Sequence, residues 1–129
     1  MAVYLDSSAI VRLAAREPQS MALRRYLRRR RPVVSSALAR TEVLRALLPA
    51  GAEAVARGRS VLQRLDLVRV NDRILNAAGE LHPPDLCSLD AIHLATALEL
   101  GRDLAVVVSY DERMTKGAKQ LGIRTAHPS

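Results

Sequence analysis

The spacing of apolar positions changes period several times along the chain, and each change marks an element. Val3-Tyr4-Leu5 is an apolar run that stops at Asp6; two serines follow, and an apolar helical spacing covers residues 9–16. That order predicts a strand, a tight turn and a helix, with Asp6 at the carboxyl end of the strand. Glu17-Pro18 opens a second helix expected to run to residue 30, since Pro is compatible with a first helical position. Pro32 breaks it, and Val33-Val34-Ser35 reads as a second strand. Ser36 then caps a helix over 37–48, ended by Pro49 and Gly51, and a fourth helix covers 52–64. Residues 67–70 predict a third strand and 72–81 a helix that stops at His82-Pro83-Pro84. Ser88 caps a strongly apolar helix over 89–100, closed by Gly101. Leu104–Val108 is an uninterrupted apolar strand, Asp111 opens a last helix reaching 121–122, and 123–125 predicts a short edge strand.

Strands alternating with helices at this pace predict a doubly wound α/β fold with a parallel sheet. Such sheets bind ligands at the carboxyl ends of their strands. A chain of 129 residues without an internal repeat or linker predicts one domain, residues 1–129, around a single core. Phe and Trp are absent and Tyr occurs three times, so Leu, Val, Ile and Ala must build that core. The same scarcity argues against aromatic platforms of the kind that grip single strands by base stacking. Lys and Arg number 20 against 13 acids, and a net charge of +7 points to a polyanionic partner. Cys87 is the only cysteine, which excludes a disulfide framework or a cysteine zinc site within one chain. With neither a leader-like segment nor an apolar run of membrane-spanning length, the expectation is a soluble, cytoplasmic protein.

Four acids fall where this layout brings segments to one edge. Asp6 ends the first strand, Asp111 follows the fourth, Asp90 lies in the first turn of the helix that feeds the fourth strand, and Glu42 lies early in the helix after the second. Each has a plain alternative. Asp6 and Asp111 suit helix N-caps, Asp90 suits the positive end of a helix dipole, and Glu42 can pair with Arg45 for about 0.3 kcal/mol. Together the alternatives are weaker, because carboxylates sharing a pocket raise one another's pKa. A divalent cation relieves that repulsion, and an oxygen-only donor set selects Mg²⁺ or Mn²⁺ over zinc.

The segments Val-Tyr-Leu-Asp6-Ser-Ser-Ala, Arg-Thr-Glu42-Val, Ser-Leu-Asp90-Ala-Ile-His-Leu-Ala-Thr-Ala and Val-Ser-Tyr-Asp111-Glu-Arg-Met resemble, in order, the four motifs of the PIN-domain nucleases, in particular the VapC toxins of toxin–antitoxin pairs. Ser7 and Ser109 stand where the family often has Thr, so both hydroxyls are retained. The resemblance implies a three-layer fold with a central, mainly parallel sheet of five strands flanked by helices. It also implies a Mg²⁺- or Mn²⁺-dependent endoribonuclease, neutralised by a VapB-like antitoxin and assembled as a homodimer. On that resemblance Asp6 and Asp90 hold the metal, with Asp111 binding it directly or through water, and Glu42 orients or deprotonates the attacking water or helps to bind a second ion. An antitoxin segment is expected to insert a cation among the carboxylates.

Outside the acids, the run over residues 24–31 contains six arginines, and Arg28 and Arg29 are candidate phosphate contacts; basic residues also favour a helix C-terminus. Ser7, Arg45, Ser109 and Arg113 are further candidates for RNA or antitoxin contact. His93, three residues after Asp90, reads as a packed, hydrogen-bonded histidine, and Lys116 and Lys119 as solvated. There are two rival functions: a non-catalytic RNA- or partner-binding module on the same fold, and a phosphoacceptor signalling domain, which also uses a parallel sheet and an acidic metal pocket. The latter needs paired acids at the first strand, where Asp6 stands alone.

Overall fold

A computed structural model describes residues 1–129. Five parallel strands form one sheet in the order β3-β2-β1-β4-β5. They are β1 (Ala2–Leu5), β2 (Val33–Ser36), β3 (Asp66–Val68), β4 (Leu104–Val108) and β5 (Thr125–Ala126). The helices are α1 (Ser7–Ala14), α2 (Ser20–Leu27), α3 (Ala39–Leu47), α4 (Ala52–Gln63), α5 (Asp72–Gly79), α6 (Ser88–Glu99) and α7 (Glu112–Gln120). The sheet is wholly parallel, where the resemblance implied a mainly parallel one.

The central strand β1 is buried on both faces, and its alternation sorts two cores. Val3 and Leu5 pack with α1, α2, α3 and α4; Ala2 and Tyr4 pack with α6 and α7. This makes three layers. From β1 the chain goes first to β2 and β3 on one side, then returns to β4 and β5 on the other. The reversal lies between β1 and β4, so the crevice beyond their carboxyl ends is the natural ligand position.

Local chemistry moved several boundaries. Asp6 caps α1 by accepting from the Ala9 amide, so the helix starts at Ser7. Pro18 lies ahead of α2: the Ser20 hydroxyl accepts from Glu17 N and donates to Ala15 O, which ties the turn down before the helix begins. Ser36 belongs to β2 and accepts from Leu38 N, so α3 begins at Ala39 and Glu42 falls in its first turn. Ser88 is the first residue of α6, with Cys87 at the cap position and no side-chain cap bond. The edge strand forms at Thr125–Ala126, just after the expected 123–125, while Ile123 is buried in the core. No helix is long and apolar enough to cross a membrane.

Candidate active site

Asp6 sits at the end of β1 and is 2% exposed. Its Oδ1 accepts from the Ala9 amide at 3.0 Å and from Ser8 Oγ at 2.6 Å, while Oδ2 accepts from Ser109 Oγ. Ser109 also accepts from the Asp111 amide at 3.0 Å, and Ser8 accepts from the Tyr110 amide at 2.9 Å. The starts of α1 and α7 are thus stitched together around one carboxylate. Asp111 caps α7 through its Oδ1 to Arg113 N at 2.9 Å, and the Arg113 guanidinium lies 3.9 Å from the same oxygen. Asp6 and Asp111 are both helix N-caps, and Ser109 bonds to both at the same edge of the sheet.

A second group centres on Glu42. Its Oε1 takes the Ser7 hydroxyl at 2.6 Å and faces His93 Nε2 at 2.6 Å, while the other side of the His93 ring meets the Tyr4 hydroxyl at 2.7 Å. Glu42 therefore partners His93 from α6, and Arg45 stands exposed without an ion pair. His93 is the packed, hydrogen-bonded residue expected of it. Ser7 and Ser109, candidates for RNA or antitoxin contact, have their hydroxyl protons committed to Glu42 and Asp6. One turn before His93, Asp90 is 8% exposed and its carboxylate has neither an ion pair nor a hydrogen bond within the chain. Two cavities adjoin the acids. One of about 650 Å³ is lined by Ser109, Asp111, Lys116, Lys119 and His127; another of about 160 Å³ is lined by Asp90, Arg113, Lys116 and Gln120. Lys116 and Gln120 border both, so these residues line the crevice as well as meeting solvent.

Gly117 makes the α7 wall possible. A Cβ there would lie 2.7 Å from Leu86 and 3.3 Å from Leu94 of α6, and its absence lets α7 close on the segment that carries Asp90.

The two central acids are tuned in opposite directions. Burial raises the Asp6 carboxyl above its ordinary 3.8, although bonds from Ser109, Ser8 and Ala9 oppose the shift. Burial also pushes Glu42 upward, but the His93 and Ser7 bonds outweigh it and hold Glu42 below its ordinary 4.5. Without a divalent ion, Asp6 contributes stability that is complete below its unfolded value and lost as pH rises through its folded one. Glu42 contributes stability present above 4.5 and lost as pH falls through its lower folded value. In chelator, urea midpoints measured from pH 3 to pH 6 on the roughly one-unit scale of ordinary carboxylates should show this split. Glu42→Gln should lose most against the unmutated chain at the upper end, and the deficit should close at the lower. A deficit constant over the range would mean that the Glu42 bonds do not favour its charged form.

The donor chemistry fits a hard cation. Asp6, Asp90 and Asp111 offer oxygens only, and the Asp90 carboxylate lines the smaller cavity without a partner in the chain. No three Asp, Glu, His or Cys side chains close into a ready-made ligand cage. Mg²⁺ is commonly held by one or two carboxylates plus water and substrate phosphate, so a closed cage is not required.

The PIN domain profile matches residues 3–120. Ribonuclease VapC46 of Mycobacterium tuberculosis is 60% identical over 128 residues, covering 99% of this chain and 98% of that one. The chain belongs to the PIN-domain family of VapC ribonucleases. VapC35 of the same organism is 37% identical over 130 residues, covering 98% of this chain and 96% of its own length. Among solved structures, VapC20 of M. tuberculosis, a toxin that cleaves the sarcin–ricin loop, superposes with a TM-score of 0.78 at 16% identity, covering 98% and 99% of the two chains. VapBC2 of Rickettsia felis, solved with a DNA fragment from its promoter, gives 0.70 at 14% identity with full coverage of both. These distant likenesses establish the fold, which is the VapC type. Membership of the PIN-domain family, shown by the profile match and the 60% identical relative, excludes a phosphoacceptor signalling domain.

The 24–31 run lies away from this site. It leads into the start of β2, which places it at the amino-terminal edge of the sheet, opposite the acids. Arg30 donates to Tyr26 O and Arg31 to Leu27 O, so part of the run closes the end of α2 as basic residues favour there. Arg28 and Arg29 remain exposed.

Proposed function

We propose that the β1–β4 crevice hydrolyses RNA phosphodiester bonds with Mg²⁺ or Mn²⁺, as the toxin of a toxin–antitoxin pair. The observation that carries this is the Asp90 carboxylate, which faces the smaller cavity without a partner in the chain, together with Glu42, held through one oxygen and favoured in its charged form. Asp6, Asp90 and Asp111 would hold the cation, which when bound supplies positive charge to the phosphodiester and eases ionisation of water. Glu42, kept charged by its bonds, accepts the water proton. Ser109 and Ser8 fix the Asp6 carboxylate, and Lys116 and Arg113 offer charge to phosphates along the crevice. The ribonuclease name of a relative sharing 60% of its residues supports RNA as the substrate.

The partner is a VapB-like antitoxin whose cation occupies the carboxylates, and the working assembly is a cytoplasmic homodimer. Co-expression with that antitoxin should abolish cleavage and lower apparent metal affinity, by reciprocity of linked binding. The direct test is cleavage of a labelled RNA in Mg²⁺ or Mn²⁺ that stops in chelator. RNA left intact in both metals overturns the proposal and favours the non-catalytic RNA- or partner-binding module.

Arg28 and Arg29, at the far edge, would meet only RNA long enough to leave the crevice. Replacing both with Ala should leave binding of a short oligonucleotide unchanged. For a long RNA the slope of log affinity against log salt should flatten by about 0.7 for each phosphate that is no longer neutralised. Equal slopes for the long RNA would assign the two arginines to solvation of the α2 end.

A further inference from the structure

We infer, on the ribonuclease reading above, that His93 is a positioning residue for Glu42 and that Tyr4 fixes the His93 tautomer that does this work. Three elements deliver the parts. The alternation of β1 sends Tyr4 to the α6 face, α6 carries His93 one turn after Asp90, and α3 brings Glu42 in its first turn. The His93 ring is 2% exposed and stands edge-on to Tyr4, with centroids 5.9 Å apart and planes at 76°. A neutral imidazole has one donor and one acceptor nitrogen, and the bond made by one decides the other. Tyr4 makes its hydrogen bond to Nδ1. The neighbouring Ser35 and Thr96 hydroxyls donate to the carbonyls of Leu5 and Ile92. With the Tyr4 hydroxyl donating to Nδ1, the ring proton sits on Nε2 and points at Glu42 Oε1, 2.6 Å away.

Ser7 Oγ donates to that same oxygen. Both bonds therefore fall on Oε1, and Oε2 accepts nothing from the chain. The carboxylate is pinned by one oxygen and presented by the other. Water gives a proton to Oε2 as its oxygen forms the new bond to phosphorus. The bond to the leaving ribose oxygen breaks, that oxygen keeps the electron pair and takes a proton from solvent, and Glu42 returns its own proton to solvent. Besides Tyr4 and Glu42, the groups facing His93 are the Ser7 hydroxyl at 3.3 Å and the charge of Asp6.

Substitutions at His93 separate positioning from packing. His93→Gln keeps a nitrogen donor near Nε2 but fills the space poorly, whereas His93→Phe fills the space and donates nothing. Positioning predicts that His93→Phe loses about a hundredfold in kcat with KM little changed, the cost of a misplaced reacting group, and that His93→Gln recovers most of it. Tyr4→Phe, which removes one hydroxyl, should lower kcat by a smaller factor. Nitrogen NMR of the full chain reads the tautomer without any substrate: His93 should show a protonated Nε2 and a bare Nδ1, with the two forms mixing in Tyr4→Phe. Full activity in His93→Phe, or a proton on Nδ1 in the unmutated chain, overturns the inference. An unmutated chain inert toward RNA, with the expected NMR signature intact, overturns the ribonuclease reading on which it stands.

Discussion

Asp90→Asn should reduce kcat/KM for RNA by about a thousandfold or more, equivalent to a barrier about 4 kcal/mol higher. Asp6→Asn should match it, since each removes a carboxylate from the place where the cation is expected. Glu42→Gln should fall as far in kcat while metal binding persists, because the amide cannot take a proton from water. Parallel metal titrations separate the roles: Asp90→Asn should weaken Mn²⁺ binding and Glu42→Gln should leave it nearly intact. Circular dichroism should be unchanged in all three. Full activity in Asp90→Asn would return that residue to the helix-dipole role and remove the metal from this edge.

The second large effect needs no RNA. The Asp90 carboxylate opens to the crevice without a partner in the chain and shares that edge with Asp6 and Asp111. Like charges about 4 Å apart repel by roughly 1–4 kcal/mol depending on the effective dielectric, a repulsion that an amide does not feel. In chelator Asp90→Asn should therefore melt higher than the unmutated chain, by about 4 °C for each kcal/mol recovered at this size. Mg²⁺ at a hundred times its dissociation constant should stabilise the unmutated chain by about 2.7 kcal/mol, or roughly 10 °C, and the variant much less. The order of melting temperatures should invert between the two buffers. A variant destabilised equally in both would mean that Asp90 supports α6 and does not hold a cation.

Most of the fold was legible because β1 and β4 are continuous apolar runs and α1, α5 and α7 open on side-chain caps from Asp6, Asn71 and Asp111. The exceptions come from side chains choosing between two local jobs. Ser36 ends β2 as well as accepting from Leu38 N, and Ser20 braces the turn that Pro18 was expected to turn into helix. For the site, edge placement of Asp6, Asp90 and Asp111 follows from topology alone. Glu42 shows where one sequence stops informing: its three-residue spacing to Arg45 is visible locally, yet it partners His93 across 51 positions. Ser8 likewise gives no sign that its hydroxyl joins Asp6 to the Tyr110 amide. The arginine run was more readable than it looked. Any segment leading into a parallel strand lies at the edge opposite that strand's carboxyl end, which separates Arg28 and Arg29 from the acids.

The bond from Ser109 to Asp6 joins positions 103 residues apart, and β1 and β4 are neighbours only because nearly the whole chain intervenes. Such pairings are slow to form, since the loop they close must be ordered before any favourable interaction offsets it. During synthesis β1 can find β2 early, but its other edge stays open until β4 emerges. Asp6 is made long before Ser109 and Asp111, the last residues that its surroundings require. A chain released before β4 would therefore be harmless, and competence to cut RNA would arrive abruptly with that strand, giving an antitoxin nothing to restrain until it is in place.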